Sequence, residues 1–158
     1  MPSIGEIAPD FELLDDAGNR VKLSDFRGKK VVLYFYPADF TSGCELQACK
    51  FRDAYPQIEE GNAVVLGVSP DGVDSHRKFK EAHNLPFTLL VDSDRSLAKE
   101  WGNTNTVTRE DGSEATRYLR GQYIIDEEGR IIATQSPVQA PQSLRLALEG
   151  LGLGPESA

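Results

Sequence analysis

Continuous apolar runs alternate with amphipathic segments along this chain, and the runs predict buried strands. They are rich in β-branched and aromatic residues, which favours strands that are covered on both faces. The predicted strands are residues 31–36, 63–69, 87–91 and 122–126. Shorter apolar stretches at 11–14 and 20–23 flank a turn and predict an N-terminal hairpin, and 130–134 predicts a second hairpin with 122–126.

The segments between these runs carry helical patterns. Residues 44–60 predict a helix that Pro56 should end or kink near Tyr55, because proline lacks an N–H and clashes with the preceding turn. Residues 73–84 predict a charged amphipathic helix, and 96–101 predict a short one. The last helix has apolar residues at the i, i+3, i+4 and i+7 spacing of one face, namely Leu144, Ala147, Leu148 and Leu151.

This alternation predicts an α/β fold with a central mixed β-sheet, parallel at its centre and flanked by helices. A length of 158 residues fits one domain, spanning 1–158. The polar segment 103–117 is predicted to be an irregular loop, and residues 153–158 are predicted to be a frayed tail.

The balance of charge excludes some partners. There are 17 Lys and Arg against 25 Asp and Glu, for a net charge of −8. This argues against nucleic acid and anionic membrane surfaces, because both need clustered positive charge. The N-terminal segment lacks a signal-peptide pattern, and no segment approaches the ~18 apolar residues of a membrane span, so we expect a cytoplasmic protein.

The chain has two cysteines, Cys44 and Cys49, in the stretch TSGCELQAC. In a reducing compartment such a pair indicates catalysis, redox sensing or metal binding more than a permanent bridge. Cys44 lies in the first turn of the predicted helix, where unpaired N–H groups and the helix dipole favour a thiolate. Five helical positions separate the two Cα atoms by about 8.6 Å, beyond the roughly 7 Å limit of a disulfide. Bonding would therefore require the helix to unwind.

Other interpretations of these residues remain open at this point. Either cysteine could be a small buried hydrophobe, and Cys49 fits helix packing well. A zinc site needs about four closely spaced ligands, but the cysteines are separated by more than the usual spacing. His76 and His83 are predicted to be solvated residues of a polar helix. The spacing also differs from the C-x-x-C pattern of thioredoxin-like oxidoreductases.

The segment YPADFTSGCELQACKFRD resembles the P-x-x-x-[TS]-x-x-C active-site motif of peroxiredoxins. A second cysteine five residues downstream is typical of the bacterioferritin comigratory protein, or peroxiredoxin Q, subgroup. The blocks VVLGVSPDGVDSHRKFKEAHNLPFTLLVDSD and RGQYIIDEEGRI also resemble that subgroup, so the similarity covers nearly the whole chain.

The resemblance implies a thioredoxin-like fold and a thiol peroxidase that reduces hydrogen peroxide and organic hydroperoxides. It implies that Cys44 is the peroxidatic cysteine, Cys49 the resolving cysteine, Thr41 the active-site hydroxyl, Pro37 a shielding proline and Arg120 the distal arginine.

Three details of the motif bear on these roles. Ser42 stands where the subgroup usually has proline, which could loosen the catalytic turn. Gly121 follows the arginine where Ser or Thr is common, which removes a side chain near the site. Arg109 and Arg117 are other candidates for the arginine, but alignment to QYIID favours Arg120.

Thiolate formation alone cannot make a thiol a fast peroxidase. At an ordinary pKa of about 8.5, roughly 3% of a thiol is ionised at pH 7, so complete ionisation adds only about thirtyfold. The larger gain must come from groups that stabilise the transition state. Thr41, Arg120 and the N–H groups around Gly43 and Cys44 are suited to this, and Pro37 adds no competing donor.

The resemblance further implies a sulfenic acid on Cys44, a Cys44–Cys49 disulfide and recycling by thioredoxin or a similar dithiol, without metal, flavin or haem. It favours a monomer over a dimer. The alternative function is a redox-sensing or chaperone-like binding protein that uses the same dithiol switch, and a structural metal-binding domain is a third.

Overall fold

The strands of this protein form where the apolar runs lie. The computed structural model describes residues 2–154. The strands are β1 (Glu12–Asp15), β2 (Arg20–Lys22), β3 (Lys30–Phe35), β4 (Ala63–Ser69), β5 (Thr88–Val91), β6 (Thr104–Thr108), β7 (Glu114–Tyr118), β8 (Gly121–Ile125) and β9 (Ile131–Gln135). The helices are α1 (Ser42–Glu60), α2 (Val73–His83), α3 (Ser96–Glu100) and α4 (Ser143–Leu151), with short 3₁₀ turns at Leu23–Phe26 and Ala140–Gln142.

Seven strands form one mixed sheet in the order β2-β1-β5-β4-β3-β8-β9. The central strand β3 pairs in parallel with β4 and antiparallel with β8, and β4 pairs in parallel with β5. The outer pairs β1–β2 and β8–β9 are antiparallel hairpins. The predicted α/β class is therefore confirmed, including the central parallel pairing and both hairpins.

Two apolar cores cover the two faces of this sheet. Successive side chains of a strand point to opposite faces, so Tyr34 enters one core and Phe35 the other. Helices α1, α2 and α4 cover the Tyr34 face through residues such as Phe51 and Phe79. Helix α3 and β7 cover the Phe35 face, where Trp101 is fully buried. Among residues 2–154 no helix is both long and apolar enough to cross a membrane.

Helix α1 continues through Pro56, so the predicted end near Tyr55 is wrong. Buried residues lie on both sides of the proline, with Tyr55 before it and Ile58 after it. Their packing on the sheet outweighs the hydrogen bond that proline cannot donate. The local rule failed because it takes no account of tertiary contacts.

The predicted loop at 103–117 is also wrong, because β6 and β7 form a two-stranded antiparallel sheet there. The turn uses Gly112 at φ +86°, a conformation that glycine adopts without steric cost. Tyr118 anchors the hairpin to the main core and donates to Asp92 at 2.9 Å. Most positions of this hairpin are exposed and polar, so the alternation of apolar and polar residues that predicts a strand is absent from its sequence.

The start of the predicted frayed tail is packed. Leu153 contacts the core beside α4, and its N–H donates to Leu148. The Gly154 carbonyl accepts a hydrogen bond from Gln57 at 3.1 Å. The remainder of that predicted tail, residues 155–158, lies outside the described residues.

Asp92 ties three elements together, and its loss tests this part of the fold. Its buried carboxylate accepts from the N–H groups of Leu97 and Ala98 at 3.0 Å and from the Tyr118 hydroxyl. We expect Asp92→Ala to lower the free energy of unfolding by about 3 kcal/mol. The substitution removes the acceptor for two N–H groups at the start of α3 and leaves the buried Tyr118 hydroxyl without its acceptor. Urea denaturation measures this, with exposed Glu100→Ala as the control. A loss no larger than the control's would contradict it.

Candidate active site

Residues 36–41 connect β3 to α1 and place the candidate residues at a strand end. Thr41 is the N-cap of α1 in an extended conformation, and its hydroxyl donates to the Ala38 carbonyl at 3.1 Å. That side chain makes no capping hydrogen bond, so it does not occupy the first N–H groups of the helix. Those groups can stabilise an anion at this end of α1. Pro37 is half-buried two residues beyond β3.

Cys44 lies in the first turn of α1 and faces Arg120. The thiol is free and the residue only 1% exposed. The Arg120 Nη2 lies 3.3 Å from the Cys44 Sγ. A guanidinium at that distance stabilises a thiolate by a charge-assisted hydrogen bond. Arg109 and Arg117 belong to the exposed β6–β7 hairpin region instead.

A chain of buried amides and hydroxyls holds Arg120 in place. The Arg120 Nη1 donates to the Gln47 Oε1, and the Gln47 Nε2 donates to the Ser143 hydroxyl at 2.9 Å. Ser143 in turn donates to Gln122, whose Nε2 donates to Gln135 at 2.8 Å. The network links α1, α4, β8 and β9. Gln47 is not among the residues predicted from the sequence, although it follows Cys44 by three residues and so shares its helix face.

Gly43 leaves room for the arginine. A Cβ at this position would lie 3.2 Å from the Arg120 Nη2. That is tighter than ordinary van der Waals contact, so a side chain here would require the guanidinium to shift by a few tenths of an ångström. Glycine at this position accommodates the close approach of the cation.

The two departures from the family motif have different structural consequences. Ser42 is the exposed first residue of α1, where a proline would pre-set φ, so this turn is less constrained. Gly121 leaves space that the Asn103 side chain fills, since a Cβ there would lie 2.1 Å from the Asn103 Oδ1. Asn103 is held by Tyr123 at 3.0 Å and Ser136 at 2.7 Å. A neighbouring amide therefore replaces the side chain that glycine lacks.

His76 is fully buried, so its predicted place on a solvated helix face is wrong. Its Nδ1 lies 2.7 Å from the Asp39 Oδ2, and its Nε2 lies 2.8 Å from the Leu90 carbonyl. Asp39 also accepts from the hydroxyls of Tyr36 and Ser75, both at 2.7 Å. These contacts fasten the loop that contains Pro37 and Thr41 to α2 and β5. The sequence could not reveal them because Asp39 and His76 lie 37 positions apart.

Asp39, Asp71 and His76 are also the one group among residues 2–154 whose ligand atoms lie close enough to hold a metal ion. Those atoms are already engaged, since the Asp71 Oδ2 accepts from the Asp39 N–H at 2.7 Å and from Ser69 at 2.9 Å. The group contains neither cysteine. Its hydrogen bonds favour a structural role.

Two buried tyrosines lie beneath the site, Tyr34 in β3 and Tyr36 directly after it. Burial raises the pKa of Tyr34 well above 10, and negative charge on Cys44 acts in the same direction. Burial also raises the pKa of Tyr36, with Tyr34 and Asp39 contributing. Both phenols therefore stay neutral at physiological pH, and Arg120 is the group that brings charge to Cys44.

Cys49 lies five residues further along the unbroken helix α1 and is half-buried with a free thiol. His83 is not the solvated residue that the sequence predicted. Its side chain is only 22% exposed, and its Nδ1 lies 3.6 Å from the Cys49 Sγ.

Comparison with known proteins defines the class to which this fold and site belong. Residues 4–134 match the sequence profile of the AhpC/TSA family. The chain belongs to this family, and its sheet and helices are those of a thioredoxin-like peroxiredoxin.

Individual relatives indicate the subgroup of this family to which the chain is most similar. The chain is 46% identical to Peroxiredoxin Bcp of Bacillus subtilis over 148 residues, 94% of each chain. Peroxidoxin BcpB from Mycobacterium tuberculosis superposes with a TM-score of 0.86 at 30% identity, covering 96% of this chain and 97% of that one. A bacterioferritin comigratory protein of Xanthomonas campestris, described by its alkyl peroxide reduction activity, gives 0.85 at 25% identity and 90% coverage of each. The predicted subgroup is confirmed, and these relatives support a thiol peroxidase function.

Gln47 offers a direct test of how the site is built. Gln47→Ala should slow the reaction of Cys44 with hydrogen peroxide by about tenfold or more, because Arg120 loses the hydrogen-bond acceptor that orients its guanidinium towards Cys44. Stopped-flow kinetics of the reduced protein measures this. The control is Gln57→Ala, a glutamine in the last turns of the same helix. Equal rates in both variants would contradict the role of the network.

Proposed function

We propose that Cys44 is the peroxidatic cysteine of a thiol peroxidase that reduces hydrogen peroxide and organic hydroperoxides. The observation that carries the proposal is the 3.3 Å contact between the Arg120 Nη2 and the Cys44 Sγ at the N-terminus of α1. The thiol is thereby next to a fixed cation and to free helix N–H groups. The alkyl peroxide reduction activity described for the Xanthomonas relative supports this substrate class.

The same groups are suited to the transition state of peroxide reduction. Negative charge moves from sulfur to the leaving oxygen as the O–O bond breaks, so a cation close to both is worth more then than before. Arg120 meets this need, as do the N–H groups of Gly43 and Cys44. The Thr41 hydroxyl donates to Ala38, which leaves its lone pairs to accept a hydrogen bond from the peroxide. Pro37 shields the site without adding a donor.

The proposed cycle has three steps. The Cys44 thiolate attacks ROOH, giving Cys44–SOH and, after protonation of the leaving oxygen, ROH. The first turn of α1 then unwinds, and Cys49 displaces water to form the Cys44–Cys49 disulfide. An external dithiol, thioredoxin or a similar protein, restores both thiols by exchange. Ser42 at the start of α1, in place of a proline, favours this unwinding. We propose a cytoplasmic monomer.

Single-cysteine variants separate the two proposed roles. Mixed with one equivalent of hydrogen peroxide, the reduced wild type should lose both titratable thiols. Cys49→Ser should lose its one thiol and stop as a sulfenic acid that a dimedone-type reagent traps. Cys44→Ser should keep its thiol over the same time. Thiol titration with mass spectrometry measures all three.

The same samples test recycling. Adding thioredoxin, thioredoxin reductase and NADPH should give sustained NADPH consumption with the wild type and little with Cys49→Ser. Retention of both thiols in peroxide-treated wild type would disprove peroxidase activity. Oxidation without recycling would instead favour a redox-sensing protein.

A further inference from the structure

The C-terminal end of α2 brings a histidine and a carboxylate to the second cysteine. The His83 Nδ1 lies 3.6 Å from the Cys49 Sγ, and the His83 Nε2 lies 3.6 Å from the Glu45 Oε1. The imidazole therefore stands between a thiol and a carboxylate. This order of groups activates cysteine nucleophiles, because the histidine takes the thiol proton and the third group orients the histidine.

Glu45 favours the tautomer that this role requires through its charge, since 3.6 Å is too long for a hydrogen bond. The carboxylate can only accept, so it stabilises the neutral ring that carries its N–H on Nε2, the nitrogen that faces it. In the neutral ring the other nitrogen, Nδ1, is then a free acceptor, and it is the nitrogen next to Cys49. The carboxylate also stabilises the imidazolium that forms when the proton arrives.

Contacts between α1 and α2 hold this arrangement. The Arg52 Nη1 donates to the His83 carbonyl at 2.9 Å, three residues after Cys49 on the same side of α1. The Phe79 ring packs edge-on against the imidazole with a centroid separation of 5.1 Å. At 22% exposure the ring is partly shielded from water. Cys49 and His83 are thus held together by packing on the later turns of α1.

Glu45 and Arg52 are ionisable residues of α1 that lie beside this ring and its thiol. The hydrogen bond from Arg52 to Asp53 raises the pKa of Arg52, and negative charge on Cys49 acts in the same direction. Arg52 thus places a positive charge beside the thiol, and Glu45 places a negative charge beside the ring. The two charges are oriented to assist the movement of a proton from Cys49 to His83.

We propose that His83 is the general base for the resolving cysteine, with Glu45 as its positioning residue. This rests on the proposed function. The Cys49 proton moves to the His83 Nδ1, and the thiolate attacks the Sγ of the Cys44 sulfenic acid. The S–O bond breaks as the S–S bond forms, and the departing hydroxide takes the proton from His83 to leave as water. No other reactant is needed.

The unwinding of α1 gives Glu45 a second effect. Glu45 lies next to Cys44, in the first turn that must open, whereas Cys49 and Arg52 lie beyond it. When Cys44 moves towards Cys49, Glu45 leaves His83. The carboxylate then no longer holds the imidazolium at the moment when the departing hydroxide must be protonated.

One arm of the test needs no peroxide. In the Cys44→Ser background, adding His83→Gln should slow alkylation of Cys49 by iodoacetamide at pH 7 by about tenfold, within the roughly thirtyfold that complete ionisation of a thiol allows. Glu45→Gln should give a smaller loss. The matched control is Glu81→Gln, an exposed acidic residue of α2. Equal alkylation rates with and without His83 would overturn the proposal, whether or not the protein reduces peroxide.

The second arm follows the protein with both cysteines. His83→Gln should leave the peroxide reaction of Cys44 unchanged and slow disulfide formation by roughly 100-fold, the lower end of a general base's contribution. Its resolving rate should depend on pH more steeply than that of the wild type, because no base then takes the Cys49 proton. Unchanged disulfide formation, or equal slowing of both steps, would overturn the role of His83.

Discussion

The contact between Arg120 and Cys44 is the interaction on which the rest of the site depends. It joins the residue before β8 to the first turn of α1, and these elements meet only because both adjoin the same end of the central strand β3. Gly43 leaves space for the Arg120 Nη2 beside the helix backbone, and Gln47 accepts a hydrogen bond from the Arg120 Nη1. On the other side of the loop, Asp39 and His76 fasten the chain that leads to α1. The turn that carries the candidate nucleophile is therefore supported from two sides by buried hydrogen bonds.

Helix α1 is buried unevenly along its length. Its later turns are buried through Phe51, Tyr55 and Ile58 and continue through Pro56. Its first turn starts at an exposed Ser42 and carries Cys44 inward. In the proposed cycle the first cysteine moves while the second stays against α2. The helix keeps the two thiols apart, and the proposed disulfide requires that separation to be lost locally.

Much of this could be predicted from the sequence, and the failures have a common cause. The strands followed from continuous apolar runs, and Cys44 from its place after a strand and turn. Burial of His76 could not be foreseen, because its partner Asp39 is distant along the chain. Gln47 carries no signal except its spacing from Cys44, since its partners Arg120 and Ser143 come from other elements. Local patterns predict elements, but polar partnerships between elements need the fold.

The central claim is that Arg120 stabilises the transition state of peroxide reduction as well as the thiolate. The most direct measurement is the rate constant of Cys44 with hydrogen peroxide across pH, in the wild type and Arg120→Met, up to the plateau where each thiol is fully ionised. The account predicts that the variant stays slower on the plateau by about 100-fold or more, since loss of an oriented charged donor costs that much. Equal plateau rates would contradict it, because Arg120 would then act on the ionisation of Cys44 alone.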